Sequence, residues 1–233
     1  MRVNKWGVGV VLAASVLLAG CSAGASEKPA DEKPTTASQE ETTTSSDCPA
    51  LSEGAAVDGA ALGGCVADVL AETAGYAAKT TVMGIESTAR YNPSEDAIES
   101  TSVAGSLVVI GDQLWVKSPV GDWQVADPNS SDPVVAGLSM GAAAVAQTDP
   151  TTVMQSLAGE FTVTGTGSRL GQEVFLVSGV VEVQGISVDV VYELTADYVP
   201  LASTSTTQAN GMTVETVMEV TEWDVPQEIV APL

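Results

Sequence analysis

Residues 186–222 read ISVDVVYELTADYVPLASTSTTQANGMTVETVMEVTE, and their pattern decides the fold. In the last part, Met212, Val214, Thr216, Met218 and Val220 share one face of an extended chain, while Thr213, Glu215 and Glu219 share the other. Residues 186–194 repeat this arrangement, with Ile186, Val188, Val190, Tyr192 and Leu194 on one side and Ser187, Asp189 and Glu193 on the other. A period of two with one apolar and one polar face predicts half-buried antiparallel strands. Asn210-Gly211, between the β-rich runs 201–207 and 212–222, is the dipeptide that closes a two-residue hairpin.

Upstream, residues 161–166 and 173–183 also read as strands, punctuated by Gly167, Gly171 and Gly185. Residues 173–183 are apolar on both faces, which predicts cover on both sides. Residues 78–90, rich in Thr, Val, Met and Ile, read as one strand ended by the turn signal Asn92-Pro93-Ser94. Residues 97–110 give one or two more strands, Gly111-Asp112 turns into QLWVKS, and residues 119–122 turn into WQVAD. Turns this short join only antiparallel neighbours, so the pattern is a meander. Three helices interrupt it. Asp58 caps a helix to about residue 74 with Leu62, Val66, Val69 and Leu70 at helical spacing. Asp132-Pro133 and Asp149-Pro150 place a capping carboxylate before a proline at the first helical position, opening helices over 133–145 and 150–157. The class is α+β: a large curved antiparallel β-sheet whose concave face is covered by three helices.

The chain of 233 residues carries 30 acidic and 8 basic residues and a net charge of −22. Only Lys79, Arg90, Lys117 and Arg169 are basic beyond residue 47. This balance excludes a nucleic-acid partner and repels anionic lipid headgroups, so membrane contact has to come from an acyl anchor or apolar surface.

The beginning of the chain has the order of a secretory segment: Arg2 and Lys5, the apolar run WGVGVVLAASVLL over 6–18, then Ala19 and Gly20 directly before a cysteine. Leu18-Ala19-Gly20-Cys21 resembles the lipobox of bacterial lipoproteins, which implies that Cys21 is diacylated and becomes the mature N-terminus. The expected localisation is extracytoplasmic, anchored to the cell membrane by lipid. Residues 1–20 are then the signal peptide and 21–47, rich in Ser, Thr and Glu, a disordered tether spanning roughly 25 to 30 Å. Residues 48–233 make one domain. Cys48 and Cys65 are expected to form a disulfide in the oxidising compartment. Two thiolates in a chain without histidine do not complete a metal shell, and no metal is expected.

Gly137-Leu138-Ser139-Met140-Gly141 matches the nucleophile elbow of serine hydrolases, but a chain with no histidine lacks the usual general base, and the motif falls inside a helix rather than between strand and helix. No catalytic residue and no cofactor are expected. Trp115 and Trp123, near the ends of adjacent strands, suit packing at a sheet edge or a sugar platform. The methionines suit a plain core or an adaptable apolar cavity.

In its order of elements the chain resembles the LppX/LprG-type lipoproteins of actinobacteria, which share the LolA-like fold of lipoprotein carriers. The features that carry the resemblance are the lipobox at Cys21, the Ser/Thr-rich tether, the helix before a meander, Gln113-Leu114-Trp115-Val116-Lys117 followed by Trp123, the Asp149-Pro150 helix, and the closing WDVPQEIVAP of 223–232. The resemblance implies a half-barrel sheet wrapping helices around an apolar cavity for the acyl chains of lipids or glycolipids. The protein would then be a carrier or chaperone, with a cavity between the helices of 133–157 and the inward strand faces. Its candidate lining is Leu138, Met140 and Val145 from the first of those helices, and Val153, Met154 and Leu157 from the second. Val188, Val190, Tyr192, Val214 and Met218 complete it from the strands. The alternative is a non-enzymatic surface binding or sensor module of the same fold with a filled core and an envelope protein partner. Void volume separates the two.

Overall fold

The computed structural model describes residues 48–183, 185–209 and 211–233. The expected signal peptide, the expected lipidation site Cys21 and the expected tether lie outside the described residues. The elements run β1 (Ala56–Asp58), α1 (Gly59–Glu72), β2 (Tyr76–Val82), β3 (Ile85–Asn92), β4 (Ala97–Ser102), β5 (Gly105–Ile110), β6 (Gln113–Lys117) and β7 (Gln124–Val125). There follow α2 (Pro133–Ala146), α3 (Pro150–Gln155), β8 (Glu160–Arg169), β9 (Gln172–Val183), β10 (Ile186–Leu194), β11 (Pro200–Ala209) and β12 (Met212–Trp223). The 12 strands among the described residues belong to one antiparallel sheet in the order β1-β8-β9-β10-β11-β12-β2-β3-β4-β5-β6-β7. It is open, with β1 and β7 as its edges.

The caps act as their sequence predicts. The Asp58 carboxylate accepts from the N–H groups of Ala60 and Ala61, Asp132 from those of Val134 and Val135, and Asp149 from that of Thr151. Residues 76–92 differ from their reading: they form a β2–β3 hairpin, not one strand. Met83 and Gly84 turn it with φ of 50° and 80°, and a methionine in the left-handed region carries no turn signal in the sequence. The segment after Cys48 joins the sheet through β1, where Ala56 lies opposite Thr162, and just before it, where the Gly54 N–H donates to the Val163 carbonyl at 2.8 Å. Cys48 and Cys65 are joined, with Cα atoms 5.9 Å apart, which fastens this segment to α1.

Two apolar cores lie on one face of the sheet. In the first, Leu62 and Val66 of α1 and Met154 of α3 pack on Phe161, Val177 and Tyr192 of β8–β10. In the second, Val135, Leu138 and Ala142 of α2 pack on Val109 of β5 and Val116 of β6. On the opposite face a third cluster joins Ala97, Val108 and Trp115 to Ile229 of the C-terminal segment. That segment is held by Asn92, whose amide donates to the Gln227 carbonyl at 2.9 Å. Trp115 is therefore a packing residue. The expected double cover of β9 holds at its start, where Val174 on the outer face and Val177 on the helix face are both fully buried, and ends farther along, where Val180 on the outer face is exposed.

Candidate functional site

The strand register shows how the two helical covers sit. Tyr192 pairs with Ser203, Ser203 with Met218, and Met218 with Thr80. The row continues from Thr80 to Ser87, Ser102 and Gly105. Directly opposed residues share a face, so the row begins in the first core at Tyr192 and ends at Gly105, where Leu138 of α2 packs. A Cβ at Gly105 would stand 2.8 Å from the Leu138 Cδ1. All three helices therefore lie on one face, α1 and α3 over β8–β10 and α2 over β5 and β6.

Between the two covers, β11, β12, β2 and β3 present a strip to the helix side. Its residues are small or hydroxyl-bearing, such as Ser203, Ser205, Thr216, Thr80 and Ser87, and are half-buried. Three larger apolar side chains stand among them. Val82, Val214 and Met218 are half-buried and belong to none of the apolar cores. Thr207, opposite Val214, has a buried hydroxyl with no hydrogen-bond partner among the described residues. Burying an unpaired hydroxyl carries a desolvation cost.

The sequence-derived lining does not surround one cavity. Met154, Leu157, Val188, Val190 and Tyr192 sit in or against the first core, and Leu138 and Val145 in or against the second. Val153 is half-buried. Met140 is 59% exposed and faces away from the sheet, because it stands about 200° around α2 from Leu138. The helices of 133–157 part company for a steric reason. At Gly63 of α1 a Cβ would lie 2.0 Å from the Met154 carbonyl oxygen, so α3 rests on α1. The small residues of α2, Gly137 and Ala142, are buried and are used for close packing rather than for space.

Where α2 ends and α3 begins there is a cleft of about 180 Å³ lined by Tyr91, Asp96, Ile98, Val145 and Asp149. Partial burial works against the Asp149 carboxylate, yet donors from Thr151 and Thr152 outweigh it and hold its pKa below the usual value. Burial raises the Tyr91 phenol, and the charges of Asp149 and Asp96 raise it further. The cleft is smaller than the roughly 300 to 1,000 Å³ of ordinary ligand sites. A shallow hollow of about 610 Å³ lies over β8–β10, lined mainly by outward residues such as Thr162, Ser178 and Asp189.

Ser139 has a structural role. It is buried within α2, donates to the Val135 carbonyl at 2.7 Å and accepts from the Asp127 N–H at 2.8 Å. Among the described residues no group of three His, Cys, Asp or Glu side chains could hold a metal ion. No helix among them is long and apolar enough to cross a membrane. Sequence reading missed the strip, although its signal is present: in 203–207 (STSTT) hydroxyl residues occupy both faces of the strand, the mark of a strand without a helix against it.

No family model matches the chain, and no curated protein matches it. Among solved structures it is similar to a LolA superfamily protein from Nitrosomonas europaea, at 7% identity over 75% of this chain and 96% of that one, with a TM-score of 0.27.

Proposed function

We propose that the chain is a lipid-anchored extracytoplasmic protein with a LolA-like fold that binds lipid acyl chains without covalent chemistry, as a carrier or chaperone of lipid or glycolipid. The observation that carries this reading is the half-exposed strip with Val82, Val214 and Met218 between two filled cores. A strip flanked by α1 and α3 on one side and α2 on the other suits a long, thin apolar ligand. Burial contributes about 25 cal/mol per Å² of apolar surface, offset in part by the ligand's lost freedom. The hydroxyls of Ser203, Ser205 and Thr207 offer partners to an ester or sugar. The lipobox-like Leu18-Ala19-Gly20-Cys21 supports the anchor.

A second reading, a surface binding module with a filled core, is favoured by the close seating of α2 on Gly105 and of α3 on Gly63. Uptake of a fluorescent fatty acid separates the two. Met218→Lys should weaken uptake at least about tenfold, or 1.4 kcal/mol, while Met140→Lys on the outer side of α2 should leave it unchanged. Equal uptake by both variants, or none by the unaltered chain, favours the second reading.

A further inference from the structure

We infer that one end of the sheet docks on a membrane surface of uncharged or zwitterionic lipid through the tips of its hairpins. In an antiparallel meander alternate strands run the same way, so the turns β9–β10, β11–β12, β2–β3 and β4–β5 and the β6–β7 loop all lie at one end. Each carries an exposed large apolar side chain: Ile186, Met212, Met83 with Ile85, Val103 and Val120. Val103 is 77% exposed and Val120 99%. The turn residues 83–84, 103–104 and 119–121 are uncharged, and the charged residues beside the tips, Glu86, Asp122 and Glu182, are acidic apart from Lys117 at the end of β6.

Met83 is the largest of these side chains in a two-residue turn, and it shares its left-handed backbone with exposed Leu170 of the opposite end. It is 68% exposed and holds φ at 50°, in a turn that Asn or Gly would satisfy without strain. Isolated apolar side chains on separate tips have no contiguous patch for a protein surface to cover. They suit a fluid interface into which each side chain dips by itself. Exposed Glu86, Asp122 and Glu182 beside the apolar tips, in a chain with a net charge of −22, repel anionic headgroups, which selects lipid without net charge.

The chain enters the described domain at the other end of the sheet, where the Tyr198 hydroxyl donates to the Pro49 carbonyl. An anchor at Cys21 does not prevent tip contact. The 27 residues of 21–47 have a contour length of about 90 Å, against about 40 Å for the longest strands. The proposal holds whether or not the strip binds an acyl chain.

The test places an environment-sensitive fluorescent amino acid at position 103 or 186 of the full chain, or at Leu170, which is exposed at the opposite end. With phosphatidylcholine vesicles, emission from 103 and 186 should shift to the blue. Brominated acyl chains should quench it several-fold more than at 170, without weakening as salt is raised. An equal response at 170, or none at 103 and 186, overturns the proposal. So does a shift that follows protein concentration in the absence of vesicles, which would assign the tips to a second copy of the chain. A chain whose tips respond but which takes up no fatty acid would keep this inference and remove the carrier reading.

Discussion

Individual glycines show how tightly the helix side of the sheet is fitted. A Cβ at Gly179 would fall 2.4 Å from the ring of Phe161, which is fully buried. At Gly63 it would strike the Met154 carbonyl, and a backbone atom has little room to yield. Gly63→Ala and Gly179→Ala should each destabilise the fold by about 1–3 kcal/mol. Gly64→Ala, with nothing within 4 Å, should stabilise α1 by roughly 0.5–1 kcal/mol. Thermal melts followed by circular dichroism would check the contrast. Tyr192, at the border of the strip, has its pKa pushed up to about 12 by burial. Its neutral phenol is favoured in the fold, so the stability linked to it is complete below the ordinary tyrosine value near 10 and is lost as pH rises from there toward 12. Burial also raises Tyr76, Tyr91 and Tyr198, so ultraviolet titration should show tyrosinates appearing late throughout, and Tyr192→Phe should remove the component near 12.

At the scale of elements, helix starts and the C-terminal strands were legible because their determinants are local. Asp58, Asp132 and Asp149 cap as their positions require, and β9–β12 follow their period of two. Asp132→Ala should lower stability by about 1 kcal/mol. Replacing Cys48 and Cys65 with serine, which opens a loop of 17 residues, should cost about 3 kcal/mol on the chain-entropy model, seen as a lower denaturant midpoint. The β2–β3 turn was not legible, since Met83 occupies a position where sequence rules expect glycine or asparagine. The parting of α2 from α3 was not legible either. It follows from contacts between residues distant in sequence, Gly63 with Met154 and Gly105 with Leu138, which no periodicity records. The candidate lining suffered for that reason. Its strand members were placed on the correct face by alternation, whereas its helix members were assigned to a shared cavity that the helices do not form.

At the scale of the molecule, one face of a 12-stranded sheet carries two filled cores with a half-exposed strip between them, and the opposite face is laced by ion pairs. Arg169 reaches Glu193 at 2.7 Å and Glu219 at 2.8 Å, and Lys79 reaches Glu86 at 3.2 Å. These pairs are partly exposed and each contributes little alone, but they occupy three of the domain's few cations, with Arg90 paired to Glu99. The outer face is thus polar, and the half-exposed apolar side chains Val82, Val214 and Met218 stand on the helix side. The most direct test purifies the full chain under native conditions, extracts it with organic solvent and measures non-covalent lipid by mass spectrometry, for the unaltered chain and for Met218→Lys. Lipid near one equivalent in the unaltered chain and strongly reduced in the variant is the predicted result. No lipid in either, or the same amount in both, would contradict acyl-chain binding at the strip.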